Sequence, residues 1–109
     1  NFEGSGSVGP WMVTADEVDP MSKLQVVTRV NGEERQNDVT DNLMFPFRFL
    51  VSYLSSFYRL KPGDLIATGT PSGAGARFDP PKYLRGGDVV KVEVPGVGIL
   101  SNPIIEELI

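Results

Sequence analysis

The sequence contains neither cysteine nor histidine among its 109 residues. Without cysteine, the chain cannot form disulfides, thiolate metal sites or cysteine nucleophiles. Without histidine, it lacks the usual imidazole base and the commonest transition-metal ligand. Any catalysis by this chain must therefore use carboxylates, Lys, Arg, Tyr, Ser, Thr or a bound cation.

Positive charge is also scarce, because 10 Lys and Arg residues stand against 14 Asp and Glu residues, a net charge of −4. The sequence has no basic stripe, which argues against nucleic acid and anionic membranes as partners. No apolar run approaches the ~18 to 20 residues of a bilayer span. Residues 1–9 also lack the charged start and apolar core of a secretion signal. We therefore expect a soluble chain.

The 12 glycines and 9 prolines fall mostly in short clusters between apolar runs of strand length, a pattern typical of β-rich folds. Asn31-Gly32 is a strong hairpin signal, because a type I′ turn needs positive φ at both central residues. Turns of sequence KPGD and RGGD end in Asp64 and Asp88, and we expect each carboxylate to cap its own turn. The predicted strands cover residues 11–14, 24–30, 33–38, 65–68, 89–94 and 97–100, with 65–68 buried.

One helix is predicted. Five apolar residues recur at the helical spacing i, i+3, i+4, i+7 and i+10 and would share one face: Phe47, Leu50, Val51, Leu54 and Phe57. Pro46 suits the first helical position, since its missing N–H would have no partner there, so we place the helix near residues 46–58. The predicted fold is a single α+β domain, mostly β, with antiparallel sheet packed on one helix.

The segment 68–75, TGTPSGAG, places small hydroxyl residues and glycines after a predicted buried strand, where backbone can approach a ligand. It is not a phosphate loop, because no Lys follows the second glycine. It is either a tight bend or a ligand-facing loop, and in the second case the Thr70 hydroxyl can donate a hydrogen bond to a substrate oxygen.

The GxGxxG match at residues 4–9 lacks a preceding strand and a following helix, which favours a flexible loop over a nucleotide site.

Several linked motifs occur together in a fixed order. They are residues 9–17 (GPWMVTADE), 30–33 (VNGE) with Gln36, 60–73 (LKPGDLIATGTPSG), 83–90 (YLRGGDVV) and 96–102 (GVGILSN). In this combination the sequence closely resembles the fumarylacetoacetate hydrolase family over nearly the whole chain. The resemblance implies a β-roll of mixed sheets, in which residues 1–109 form the C-terminal part of a single catalytic domain whose metal-binding part lies upstream.

The same resemblance implies a function. It points to a divalent-metal-dependent hydrolase of acylpyruvate or diketo-acid substrates in aromatic or oxo-acid catabolism, in which Mg²⁺, Mn²⁺ or Ca²⁺ stabilises the enolate formed when a carbon–carbon bond is hydrolysed. Family members also decarboxylate, hydrate or isomerise 2-oxo dicarboxylates, so these reactions stay open. The resemblance further implies a cytoplasmic protein, bacterial or alternatively mitochondrial, that is commonly a homodimer.

The resemblance also implies where substrate is bound. The family's substrate-contacting threonine falls on Gly69-Thr70. A family lysine would immediately precede Asn1, and Ser5 or Ser7 is a candidate for the hydroxyl residue that accompanies it near the cation and substrate. The metal carboxylates and the catalytic histidine belong upstream, so no metal ligand and no catalytic base can be named in this chain. Alone, the chain is expected to be inactive, and to be unstable or to associate without the upstream segment.

Two alternatives from other classes remain open. One is a catalytically silent small-molecule binding module that kept the fold and lost the metal ligands. The other is a dimerisation half, in which the apolar end formed by Ile104-Ile105 and Leu108-Ile109 is the interface.

Overall fold

The structure is a computed structural model and describes residues 4–106. Its strands are β1 (Gln25–Val30), β2 (Glu33–Val39), β3 (Val89–Val94) and β4 (Gly98–Pro103), and its helix is α1 (Phe47–Ser55). Two short 3₁₀ helices cover Thr40–Asn42 and Gly75–Arg77. Leu108 and Ile109, on which the dimerisation hypothesis depends, lie outside the described residues.

The strands form one sheet in the order β2-β1-β3-β4, and every neighbouring pair is antiparallel. The β1–β2 hairpin turns at Asn31 and Gly32, whose φ angles are +50° and +85°, as a type I′ turn requires. The predicted α+β fold, mostly β with one helix, is confirmed. The parallel strand pairs that a mixed sheet requires do not occur among residues 4–106.

Helix α1 is shorter than the predicted range 46–58. It begins at Phe47, and Pro46 is its N-cap residue rather than its first helical residue. After Ser55, the backbone N–H groups of Ser56 and Phe57 bond to carbonyls three residues earlier, a tighter geometry that commonly ends α-helices. The boundaries differ because apolar spacing shows which residues share a face and not where the intrahelical hydrogen bonds stop.

An aromatic stripe runs along the outside of α1 and continues onto the residues that flank the helix at both ends. Its four rings follow one another at centroid distances of 5.2, 6.0 and 5.3 Å, and all four side chains are exposed: Phe45, Phe49, Tyr53 and Phe57. The predicted apolar face is only partly covered, since Phe47, Leu50 and Leu54 are half-buried whereas Val51 and Phe57 are exposed. The helix therefore presents apolar surface on more than one side.

Two of the predicted strands are wrong. Residues 11–14 and 65–68 belong to no strand of the described structure. Trp11 instead lies against Gly98 and donates its indole N–H to the carbonyl of Val97 at 2.6 Å, so a side chain holds this segment. Leu65, predicted to be buried, is 74% exposed. A strand needs a neighbouring backbone for its N–H and C=O groups, and the apolar pattern of a segment does not reveal whether that neighbour is present.

The two aspartate-capped turns are confirmed. The carboxylate of Asp64 accepts the backbone N–H of Lys61 at 2.7 Å, and that of Asp88 accepts the N–H of Arg85 at 2.9 Å. Asp88 also accepts a hydrogen bond from the side chain of Asn31 at 2.8 Å, which joins the β1–β2 hairpin to the start of β3. Both hydrogen bonds lower the pKa of Asp88, and the one from the Arg85 N–H has the larger effect.

The buried core is small. Among residues 4–106, Val27 and Val30 are the only buried apolar residues. The chain exposes 8973 Å², whereas a folded monomer of this size is expected to expose about 5,900 Å². Much apolar surface is therefore exposed to solvent. In the described part of the chain, no helix is long and apolar enough to cross a membrane.

Candidate functional site

An open cleft of about 690 Å³ lies where the end of β2 meets the segment 68–72. Its volume is in the range of small-molecule sites, about 300 to 1,000 Å³. The polar part of its lining consists of Asp38, Thr40, Asn42, Thr68, Thr70 and Ser72. The apolar part includes Val26, Leu43, Phe45 and Phe47. The cleft therefore combines apolar walls with a few oxygen and nitrogen groups, as ligand sites commonly do.

The segment 68–72 is fixed on β2 by one side chain and by one close backbone contact. The Nε2 of Gln36 donates to the Oγ1 of Thr70 at 2.9 Å and to the carbonyl of Pro71 at 2.8 Å. Gly73 has a φ of +101° and lies so close to β2 that a Cβ there would overlap the carbonyl of Arg35. Glycine is needed at position 73 for both reasons.

The structure brings Gly69 and Thr70 to the cleft wall. Both residues are exposed, and Gly69 has a φ of +112°. Because glycine has no side chain, the backbone beside Thr70 is accessible from the cleft. The Thr70 oxygen accepts a hydrogen bond from Gln36, so its own O–H is free to donate to a ligand in the cleft. The assignment of Gly69 and Thr70 as substrate-binding residues stays a prediction.

Ser5 and Ser7 are not brought to this cleft. Both are exposed, and neither is among the residues that line it. Their assignment as hydroxyl residues near the cation and substrate stays a prediction as well.

A metal site does not form from the described residues by themselves. Residues 4–106 contain no group of three or more His, Cys, Asp or Glu side chains placed to hold a metal ion. The divalent cation that the resemblance implies therefore does not fit the donor groups of this part of the chain.

The described lining of the cleft contains one ionisable side chain, the carboxylate of Asp38. The side chain of Asn42 donates to Asp38 at 2.6 Å, and the backbone N–H of Val39 donates to the same carboxylate at 2.8 Å. These two hydrogen bonds lower the pKa of Asp38, and the one from the Asn42 amide has the larger effect. The carboxylate of Asp38 is therefore ionised at neutral pH. The lining that the structure describes includes no Lys or Arg. A positive charge from another source would therefore favour the binding of an anionic ligand in this cleft.

Sequence reasoning gave no role to Gln36, Asp38 or Asn42. A signal was present for the first two, because residues 36 and 38 lie two apart in the predicted return strand and so share one face of it. That face could not be assigned to a cleft without knowing that the segment 68–72 lies against β2.

Comparison with known proteins gives a consistent match. The family model described as fumarylacetoacetate (FAA) hydrolase C-terminal matches residues 1–105. A fumarylacetoacetate hydrolase from Exiguobacterium antarcticum is 41% identical, with a TM-score of 0.86 over 91% of this chain and 35% of that chain. A 5-carboxymethyl-2-hydroxymuconate delta-isomerase from Mycobacterium smegmatis is 39% identical, with a TM-score of 0.79 over 91% of this chain and 36% of that chain.

A third similar structure contains small molecules. It is a maleylpyruvate hydrolase from Sphingobium sp. SYK-6 in complex with manganese(II) ion and pyruvate, 32% identical, with a TM-score of 0.79 over 89% of this chain and 34% of that chain. This chain spans about a third of the length of the curated relatives it matches, 36% in one case and 34% in another. Its relatives thus include hydrolases and an isomerase, and one of them binds manganese.

Proposed function

This chain belongs to the fumarylacetoacetate hydrolase family, and we propose that the whole protein is a divalent-metal-dependent hydrolase of acylpyruvate or diketo-acid substrates in aromatic or oxo-acid catabolism. The observation that carries the proposal is the Thr70 hydroxyl, which lies on the wall of an open cleft with its proton free to donate. A similarly folded maleylpyruvate hydrolase has been solved with manganese and pyruvate, which supports an oxo-acid as the ligand.

The charge of the cleft supports a cation as part of the binding reaction. Ionised Asp38 lines the cleft together with Thr70, and the described lining supplies no cationic side chain. An oxo-acid carries at least one negative charge, and a positive charge that accompanied it would offset the repulsion from Asp38. Because residues 4–106 do not form a metal site, we propose that the ligands of Mg²⁺, Mn²⁺ or Ca²⁺ lie elsewhere in the whole protein.

Within this chain, Thr70 and the loop around it bind and orient the substrate. The Thr70 O–H donates to a carboxylate or carbonyl oxygen of the oxo-acid, and a hydrogen bond to a charged oxygen is among the stronger ones. The glycine at position 69 leaves the adjacent backbone accessible. Such positioning restricts the substrate to one pose for the reaction.

The proposed activity is tested by an assay of the whole protein. We expect hydrolysis of acylpyruvates in the presence of Mg²⁺ or Mn²⁺, and loss of activity on addition of a chelator with recovery when the ion is returned. Oxaloacetate in the same assay tests the decarboxylase alternative. Binding of the oxo-acid without turnover under any of these conditions would favour the silent binding module over an enzyme.

Replacement of Thr70 by Val removes the hydroxyl and keeps the branched shape of the side chain. We expect kcat/KM of the whole protein to fall by an amount equivalent to about 1 to 3 kcal/mol, the loss expected for a hydrogen bond to a charged group. Thr70→Ser keeps the hydroxyl and is the matched control, for which we expect kcat/KM close to that of the parent protein. Unchanged kinetics in Thr70→Val would remove Thr70 from the substrate site.

An isomerase is the second candidate. It is favoured by the likeness to a 5-carboxymethyl-2-hydroxymuconate delta-isomerase, which covers 91% of this chain at 39% identity. The two candidates differ in the product, because hydrolysis yields two molecules and isomerisation yields one of unchanged mass. Mass spectrometry of the products therefore separates them.

A further inference from the structure

Gln36 occupies a special place in β2. The register pairs residue 36 with Thr28 and residue 34 with Arg29, so Arg35 is the extra residue of a β-bulge. A bulge bends its strand and changes the direction of adjacent side chains, and bulges occur often beside functional sites. The half-buried side chain of Gln36 therefore leaves the irregular part of the strand in the direction of the segment 68–72.

The chemistry of the partners fixes the orientation of the Gln36 amide. Its terminal nitrogen lies 2.8 Å from the carbonyl of Pro71 and 2.9 Å from the Oγ1 of Thr70. A carbonyl oxygen can only accept, so the amide nitrogen and not the amide oxygen must face Pro71. One N–H then donates to Pro71, and the other donates to Thr70.

This arrangement determines the direction of the Thr70 hydroxyl. Because its oxygen accepts the Gln36 N–H, its single proton is directed to another acceptor, and Thr70 also lines the cleft. A chain of two hydrogen bonds in the same direction polarises the outer one and strengthens it. A carboxylate or carbonyl oxygen of a ligand is an acceptor of the kind that this proton can reach.

We propose that Gln36 is a positioning residue that occupies one acceptor site of the Thr70 hydroxyl and orients its proton, so that this point of the cleft donates a hydrogen bond to an oxygen anion or a carbonyl of the ligand. The proposal rests on the proposed function, because it takes Thr70 as the substrate contact. In addition, it assigns a role to Gln36, which does not contact the substrate and acts on it through Thr70.

Two substitutions remove the Gln36 donors in different ways. Gln36→Met has similar length and lacks both donors, whereas Gln36→Glu has the same shape and presents only acceptors when ionised. The second change turns the Thr70 proton inward and places a negative charge behind it. Gln25 supplies a matched control, since its amide donates to Asn37 at 2.7 Å and not to the segment 68–72, so Gln25→Glu makes the same chemical change outside the cleft.

The experiment measures kcat and KM of the whole protein and its variants with an acylpyruvate substrate. For Gln36→Met we expect kcat/KM to fall about 10-fold, and for Gln36→Glu about 100-fold, while Gln25→Glu stays close to the parent protein. The deficit of Gln36→Glu should shrink as the pH is lowered, because the introduced carboxyl becomes protonated and can donate again. A deficit of this kind shows that a donor is required at position 36, and the Thr70→Val background then separates an action through Thr70 from support of the loop through Pro71.

Combination with Thr70→Val distinguishes the possible failures. We expect Gln36→Met to have little further effect when Thr70 is already Val, because the two residues act through one hydrogen bond. An equal loss in both backgrounds, or normal kinetics in Gln36→Glu, would overturn the proposal while leaving the role of Thr70 intact. Normal kinetics in Thr70→Val alone would instead remove Thr70 from the substrate site, and absence of acylpyruvate turnover by the parent protein would overturn the proposed function. If Gln36→Glu does not fold, as judged by thermal unfolding, Gln36→Met and the double variant still decide the matter.

Discussion

Produced by itself, the 109-residue chain is expected to associate or to unfold without a cooperative transition. Among residues 4–106 only Val27 and Val30 form a buried apolar core. The exposed surface of 8973 Å² exceeds by roughly 3,000 Å² the value expected for a folded monomer of this size. Burial of apolar surface is the main force that opposes the loss of chain entropy on folding, and too little of it is available here.

Two kinds of surface account for this expectation. Strands β2 and β4 are the edges of the sheet, and an edge strand offers unpaired backbone groups to any other strand. The aromatic stripe on α1 adds four exposed rings. This chain corresponds to about a third of the length of its relatives. We propose that further polypeptide of the whole protein covers part of this surface. We also propose that a second copy of the protein, in a homodimer, covers more of it.

Sedimentation and thermal unfolding test the expectation. The chain alone should sediment as a mixture of associated species, or as a monomer whose unfolding curve is broad. The whole protein, measured as the control under the same conditions, should unfold in one sharp transition and sediment as a dimer. A monomeric chain with a sharp transition would contradict the account of its surface.

The second large effect is expected from Gly73→Ala. A side chain at this position requires a left-handed conformation, with φ at +101°, and its Cβ would overlap the Arg35 carbonyl. Strain of about 1 to 2 kcal/mol and overpacking of about 1 to 3 kcal/mol together predict a loss of about 2 to 5 kcal/mol in the free energy of unfolding of the whole protein. The substitution must also lift the segment 68–72 away from β2. A displacement of about 1 Å at Thr70 is expected to lower kcat/KM about 100-fold.

Gly63→Ala is the matched control for this prediction. Gly63 has a φ of +94° and no atom within 4 Å of the position of a Cβ, so the substitution causes the same backbone strain without the overlap. We expect a loss of about 1 to 2 kcal/mol in the free energy of unfolding and nearly normal kcat/KM. Chemical denaturation and steady-state kinetics on both variants are the measurements. Equal effects of the two substitutions on kcat/KM would show that the contact between Gly73 and Arg35 does not position Thr70.

Local signals predicted the parts of the fold that depend on neighbours in the sequence. The hairpin at Asn31-Gly32 and the turn capped by Asp88 are both present as expected, because positive φ and carboxylate capping are properties of a few adjacent residues. The strand predicted at residues 65–68 was wrong. Its existence depends on a partner strand distant in the sequence, and a hydrophobic pattern carries no information about that partner.

The same distinction applies to the site. Thr70 could be selected from the sequence, because hydroxyl residues and glycines follow one another in the segment 68–75. The roles of Gln36 and Asp38 could not, since they arise from the contact of this segment with β2, more than 30 residues away along the chain. The contact between Gly73 and the bulged Arg35 belongs to the same class of long-range feature.

A crystal structure of the whole protein with Mn²⁺ and pyruvate or oxalate would show whether the substrate contacts Thr70. We expect an oxygen of the bound oxo-acid within hydrogen-bond distance of the Thr70 Oγ1, about 2.5 to 3.0 Å, with the Gln36 amide still donating to the same oxygen. An oxo-acid bound outside this cleft, or a Thr70 hydroxyl that donates to protein and not to the ligand, would contradict the proposed role of Thr70.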